Sequence, residues 1–193
     1  MQAFLVSTGV VALGEMGDKT QLLALLLAAR FNRPWPIMLG IFVATLANHA
    51  AAGWLGAGIA AWLGPQWLRW AIGGSFLAMA VWMLIPDEAD EAPGSAGPSS
   101  VFGVFGTTVV AFFLAEMGDK TQIATVALAA RYDALLAVVA GTTLGMMIAN
   151  VPAVLLGDRV AKAVPMRLVH LVAALIFAVL GVLTLAGASL ASA

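Results

Sequence analysis

Charged residues stand inside hydrophobic stretches of this sequence at two places, about a hundred residues apart. The segment Glu-Met-Gly-Asp-Lys-Thr-Gln occupies residues 15–21 and recurs unchanged at residues 116–122. In the apolar centre of a membrane helix a lone charge costs at least about 2.5–3.5 kcal/mol, so such residues are generally kept for a function. The candidate functional residues are Glu15, Asp18, Lys19, Glu116, Asp119 and Lys120.

The types and spacing of these residues favour a cation site. Glu15 and Asp18 are three residues apart, so a continuous helix would project both carboxylates from one face, and Gln21 would extend that face. Symmetry between the two segments would bring together four carboxylates, whose oxygens suit Ca²⁺ and Mn²⁺. The predicted metal ligands are Glu15, Asp18, Glu116 and Asp119, and the additional candidates are Thr20, Gln21, Thr121, Gln122, Asn48 and Asn150.

The net charge of such a site favours exchange of a metal ion for protons. Four carboxylates and two lysines leave about two negative charges, which either one divalent cation or two protons would neutralise. Because both can hardly be bound at once, the site meets the thermodynamic requirement for antiport. Lys19 and Lys120 are predicted to balance charge, either as tethered counterions of the empty site or as side chains that snorkel away from it.

The overall composition identifies the elements that must position these residues. Of the 193 residues, 62% are hydrophobic and 10% are charged, whereas a soluble domain has roughly 25% charged residues. Residues 34–68, 134–157 and 168–193 contain no Asp, Glu, Lys or Arg, and one membrane helix needs about 20 apolar residues. We therefore predict an all-α polytopic protein in the lipid bilayer. The net charge of −1 and the lack of cysteine argue against nucleic-acid binding and thiolate metal sites.

Six hydrophobic segments are arranged as two groups of three around an acidic linker. Residues 87–100 are acidic and then rich in Pro, Gly and Ser, a composition typical of a flexible linker. The predicted domains are a first three-helix repeat at 1–86, this linker, and a second repeat at 101–193. The predicted spans are roughly 3–30, 34–63, 66–86, 102–131, 134–157 and 166–190.

An odd number of spans per repeat makes the second repeat enter the membrane in the opposite sense, as in the inverted repeats of many secondary transporters. Orientation follows from the short loops, because basic residues are enriched on the cytoplasmic side. The linker is expected in the cytoplasm and both termini outside. Five basic residues share the linker's side and two lie opposite: Arg30, Arg33, Arg159, Lys162 and Arg167, against Arg69 and Arg131.

The doubled motif resembles the Glu-x-Gly-Asp-Lys/Arg-Thr/Ser signature of the GDT family of divalent cation/proton exchangers. Both copies match it at every specified position, and six spans with an acidic central linker fit the family as well. The resemblance implies transport of Mn²⁺ or Ca²⁺ coupled to protons, with no cofactor. It implies a multi-pass protein of the cell membrane, which is the inner membrane in a Gram-negative organism, and its branch of manganese exporters is the most similar. A second copy of the chain, in a homodimer, is a further candidate partner.

Several residues have two interpretations. Gly17 and Gly118 either let the helix unwind beside the aspartates or permit close helix packing. Asn48 and Asn150 either complete the coordination of the ion or join neighbouring helices. His49 has no counterpart in the second repeat, so a hydrogen-bonded interior histidine is favoured over a proton relay.

Three competing explanations accompany the antiporter. In the first explanation, the motif acids and lysines form only a structural salt-bridge network. Two observations argue against this network: buried ion pairs stabilise poorly, and the motif carries surplus negative charge. A divalent-cation channel would need no coupled proton flux. An intramembrane aspartyl enzyme would use Asp18 and Asp119 as a dyad, yet the paired glutamates are then unexplained, so no enzyme activity is predicted.

Overall fold

The computed structural model describes residues 1–85, 100–157 and 166–187, and within these ranges it contains helices and no β-strand. The predicted linker therefore lies outside the described residues except for Ser100, as do Arg159 and Lys162. The helices are α1 Gln2–Glu15, α2 Lys19–Phe31, α3 Pro34–Trp62, α4 Pro65–Trp82, α5 Val101–Glu116, α6 Lys120–Arg131, α7 Leu135–Leu156 and α8 Met166–Leu185.

The predicted first span of each repeat is two helices, because both break inside the repeated motif. Gly17 and Gly118 have φ of 83° and 77°, in the left-handed region that glycine adopts without the cost a side chain would bring. Helix α1 ends just before Gly17 and α2 begins just after Asp18. Helices α5 and α6 flank Gly118 in the same way, with a bend of 72° between them. Of the two interpretations of these glycines, local unwinding is the correct one.

The two repeats pack through equivalent helices. Gly141 of α7 contacts Phe4, and Gly145 four residues later contacts Thr8, so α7 runs parallel to α1. In the equivalent pair, Gly40 of α3 contacts Thr108 of α5. Further along both helices the amide of Asn48 donates to the carbonyl of Phe113, so α3 runs parallel to α5.

The helices of the third predicted spans, α4 and α8, pack against each other in antiparallel directions. Gly73 contacts Leu185, whereas Leu77, four residues later, contacts Gly181. Between them Phe76 and Phe177 lie with ring centroids 6.1 Å apart. These contacts belong to an apolar core that also contains buried residues of α1, α6 and α7.

Three of the described helices are long and apolar enough to cross a membrane: α3, α7 and the part of α8 from Arg167. The bent pair of α5 and α6 qualifies as a fourth span if it is counted as one. The prediction of an all-helical chain with several apolar membrane helices is thus confirmed. The count of six spans stays a prediction.

Candidate metal site

Three buried carboxylates meet at the two helix breaks. One oxygen atom from each of Glu15, Asp18 and Asp119 lies within 4.8 Å of the others. Their exposed fractions are 0%, 2% and 4%, so this cluster is closed to solvent. Two of the acids come from the first repeat and one from the second, so neither repeat could form the cluster alone.

The breaks bring these acids together in a different way from the predicted helix face. Glu15 is the last residue of α1 and Asp18 directly precedes α2, so the turn at Gly17 separates them. The prediction that one continuous helix presents both carboxylates is therefore wrong. The carboxylates converge because the chain changes direction between them, a geometry that the left-handed glycine makes accessible.

Gln21 and Gln122 stabilise the two breaks and do not extend a ligand face of a continuous helix. The side-chain oxygen of Gln21 accepts a hydrogen bond of 2.9 Å from the backbone N–H of Gly17. Gln122 does the same for Gly118 at 2.8 Å. The amide nitrogen of Gln21 then donates to the carbonyl of Ala149 on α7, and so ties the first break to the second repeat.

The motif threonines both donate to Glu15. The Thr20 hydroxyl lies 2.5 Å from its Oε2, and the Thr121 hydroxyl donates to Oε1 from the other repeat. Exact symmetry would distribute these bonds between the two glutamates. The structure thus satisfies one glutamate with both hydroxyls.

The motif lysines pair with aspartates of the opposite repeat. Lys120 Nζ lies 3.5 Å from Asp18 Oδ1, and Lys19 Nζ lies 3.9 Å from Asp119 Oδ1. Charge-assisted hydrogen bonds are usually about 2.7–2.9 Å long, so both pairs are loose. Lys120 is only 2% exposed, which fits a tethered counterion and not a side chain that snorkels to the surface.

Glu116, the fourth predicted ligand, lies beside the three-carboxylate cluster and not in it. It is 1% exposed and close enough to Glu15 and Asp119 for their charges to repel. Its Oε1 lies 3.7 Å from Nε2 of His49, which is buried on α3. Neither ring nitrogen of His49 has a hydrogen-bond partner among the described residues, so the structure shows no protein group that satisfies this interior histidine.

The two asparagines have different partners. Asn48 donates to Phe113, and its oxygen accepts from the amide of Gln122 at 3.3 Å, so it supports the second break. Asn150 donates to the carbonyl and sulfur of Met146 on its own helix. Its side-chain oxygen is buried without a hydrogen-bond partner in the described part of the chain.

One contact at the first break could not be predicted from the motif sequence. A ring nitrogen of His170, on α8, lies 2.9 Å from the carbonyl oxygen of Met16, which the break removes from helical hydrogen bonding. A histidine in an otherwise apolar final span was the only available hint. His170 thus gives the first break a contact from α8 of the second repeat.

Comparisons with known proteins place this arrangement in a family. Residues 3–91 and 104–192 each match the family model described as "Divalent cation/proton antiporter GDT1". A Vibrio cholerae protein named "Putative manganese exporter" is 50% identical over 187 residues, which cover 95% of this chain and 90% of the relative. A Synechocystis protein named "GDT1-like protein sll0615" is 32% identical over 195 residues, which cover 92% of this chain and 93% of the relative. No solved structure matches significantly.

Proposed function

The chain belongs to the GDT1 family of divalent cation/proton antiporters, and from this membership we propose that it exports Mn²⁺ from the cell in exchange for protons. The family consists of transporters, so the chain is not an enzyme, and an aspartyl dyad of Asp18 and Asp119 is set aside. The choice of Mn²⁺ rests on the name of the Vibrio cholerae relative. It also agrees with the hard carboxylate ligands of the cluster.

The observation that carries the proposal is the convergence of Glu15, Asp18 and Asp119 within 4.8 Å in a buried place. Two ligand atoms of one divalent ion are about 3–3.5 Å apart when adjacent and about 4–5 Å apart when opposite, since each is about 2.1–2.5 Å from the ion, and separations of up to 4.8 Å fall within this range. The separation of the three carboxylates is therefore right for shared coordination. We propose Glu116 as the fourth acid of the site, because it is the buried neighbour of this cluster.

The charge balance supports exchange. Four buried carboxylates repel one another, and two lysines offset only half of their charge. One Mn²⁺ or two protons would remove the remainder, and each would weaken binding of the other. Loose lysine contacts fit this cycle, because the ammonium groups can compensate the empty aspartates and yet move away when a cation arrives.

We further propose that six spans form two inverted repeats, divided at residues 1–86, 87–100 and 101–193. The parallel pairs α1–α7 and α3–α5 and the antiparallel pair α4–α8 support this arrangement. They are the directions expected if the second repeat is turned over relative to the first. The proposal places the linker in the cytoplasm and both termini outside, in the cell membrane. A homodimer stays a prediction.

Transport by the reconstituted full chain tests the proposal. Proteoliposomes are given an imposed pH gradient, and uptake of Mn²⁺, Ca²⁺ and Mg²⁺ is compared on one preparation. We expect Mn²⁺ to accumulate in the compartment from which protons leave, and to stop when an ionophore collapses the gradient. Mn²⁺ uptake with the same rate and extent whether or not the pH gradient is present would favour a channel instead.

A further inference from the structure

We propose that His49 is the nitrogen ligand of the transported metal ion and that, together with Glu116, it selects Mn²⁺ over Ca²⁺ and Mg²⁺. The proposal rests on the Mn²⁺/proton exchange proposed above and deepens it. It assigns a role in metal binding to His49, which lies outside the repeated motif.

The first argument is the unsatisfied state of the imidazole. His49 is 1% exposed, and neither ring nitrogen has a hydrogen-bond partner among the described residues. A buried polar group without a partner destabilises the folded protein, so such a group usually meets a water molecule or an ion. The fold keeps this imidazole buried beside Glu116, and no described residue occupies its nitrogens with a hydrogen bond.

The second argument is the geometry toward Glu116. Nε2 of His49 lies 3.7 Å from Oε1 of Glu116. Two ligand atoms about 2.1–2.3 Å from one ion, at an angle of about 90–120°, are about 3–4 Å apart. Neither oxygen of Glu116 accepts a hydrogen bond of normal geometry from the described residues, although Thr45 and Asn48 lie beside it. An ion between Nε2 and Oε1 would give one unpartnered atom of each side chain a partner.

The third argument is asymmetry between the repeats. Alignment of Asn48 with Asn150 puts Val151 at the position equivalent to His49, so the second repeat supplies no nitrogen. The motif provides carboxylates from both halves, which any hard divalent cation can use. One added imidazole changes the donor set, because the hard cations Ca²⁺ and Mg²⁺ are bound in proteins through oxygen ligands and gain little from a nitrogen donor.

A spectroscopic experiment tests the ligand directly. Full-length protein in detergent is loaded with Mn²⁺, and electron spin echo spectra are recorded for coupling to ¹⁴N. We expect ¹⁴N coupling in the wild-type protein and in His170→Gln, which removes the other histidine of the chain, and we expect its loss in His49→Gln. Bound Mn²⁺ without ¹⁴N coupling in the wild-type protein would overturn the proposal, whether or not the variant folds.

A transport experiment tests the consequence for selectivity. His49→Gln exchanges the nitrogen donor for an amide oxygen of similar reach, so the ratio of Mn²⁺ to Ca²⁺ transport should fall about 10- to 100-fold. In His170→Gln this ratio should stay unchanged even if the rate falls. An unchanged ratio in a folded His49→Gln protein would contradict the role of His49. Lack of any proton-coupled Mn²⁺ transport in the wild-type protein would instead contradict the proposed function.

Discussion

At the scale of single residues, the two copies of the motif do not have equivalent surroundings. Glu15 accepts hydrogen bonds from Thr20 and Thr121, whereas Glu116 faces His49. The aspartates are more alike, because each faces a lysine of the other repeat. The identical sequences of the motifs therefore specify similar breaks and ion pairs, while the residues outside the motifs decide what each glutamate contacts.

The aspartates are expected to be indispensable. Asp18→Asn or Asp119→Asn removes one negative charge from the cluster and leaves the facing lysine less compensated, so Mn²⁺ transport should fall at least about 100-fold. Lys19→Gln should have a smaller effect, because Lys19 is 22% exposed and 3.9 Å from Asp119. Asp133→Asn, at an exposed aspartate, is the matched control. Initial rates in proteoliposomes measure all four, and normal transport by a folded Asp119→Asn protein would move the site elsewhere.

The glutamates are expected to affect coupling. Glu15→Gln or Glu116→Gln replaces a carboxylate by a neutral amide, which removes one group that can exchange a proton for the ion. Residual Mn²⁺ transport should then depend less steeply on the imposed pH gradient than in the wild-type protein. Transport rates over a series of gradients measure this slope, and a slope unchanged in both variants would exclude the glutamates as proton carriers.

At the scale of elements, the break in each first span determines the geometry of the site. The sequence indicated the motif, its duplication and the acids, because charged residues in apolar surroundings are conspicuous. It could not distinguish a helix face from a turn, since Glu15 and Asp18 have a spacing that suits both. Only φ of Gly17 and Gly118 decides between them. The contacts of His170 and His49 depend on how remote helices pack, which local patterns do not encode.

The left-handed glycines give a prediction for the breaks. In Gly118→Ala a Cβ would have open space but an unfavourable φ of 77°, so the change should cost about 1–2 kcal/mol and slow transport. Gly118→Asn should be milder, since asparagine tolerates the left-handed region better. Gly106→Ala, inside α5 and also with open space, is the matched control and should be neutral or slightly stabilising. Thermal unfolding in detergent compares them, and equal effects of alanine at both glycines would contradict the argument.

At the scale of the whole molecule, each repeat completes the other. The carboxylate cluster, the lysine pairs and the Thr121 contact all join residues from both halves. The helix pairs also join the two repeats, because α1 packs against α7 and α3 packs against α5. The sequence permitted the repeats and their proposed inversion to be predicted from span parity. It could not predict which helices of the two repeats meet, because that depends on packing between distant segments.

Orientation in the membrane can be tested in this cysteine-free chain. A cysteine introduced by Ser95→Cys should resist an impermeant thiol reagent added outside intact cells, because the linker is expected in the cytoplasm. Gln66→Cys, at an exposed position in the first turn of α4, should react with it. Labelling before and after permeabilisation distinguishes them. Reaction of the Ser95→Cys protein in intact cells would reverse the proposed topology.

Coupled flux is the measurement that tests the central claim most directly. Proteoliposomes with the wild-type chain are loaded with a pH-sensitive dye, and Mn²⁺ is added outside without an initial pH gradient. Exchange predicts that inward Mn²⁺ movement drives protons out, so the interior becomes alkaline, and that Asp18→Asn abolishes this change. Mn²⁺ entry that leaves the internal pH unchanged while the membrane potential is clamped would contradict antiport by this site.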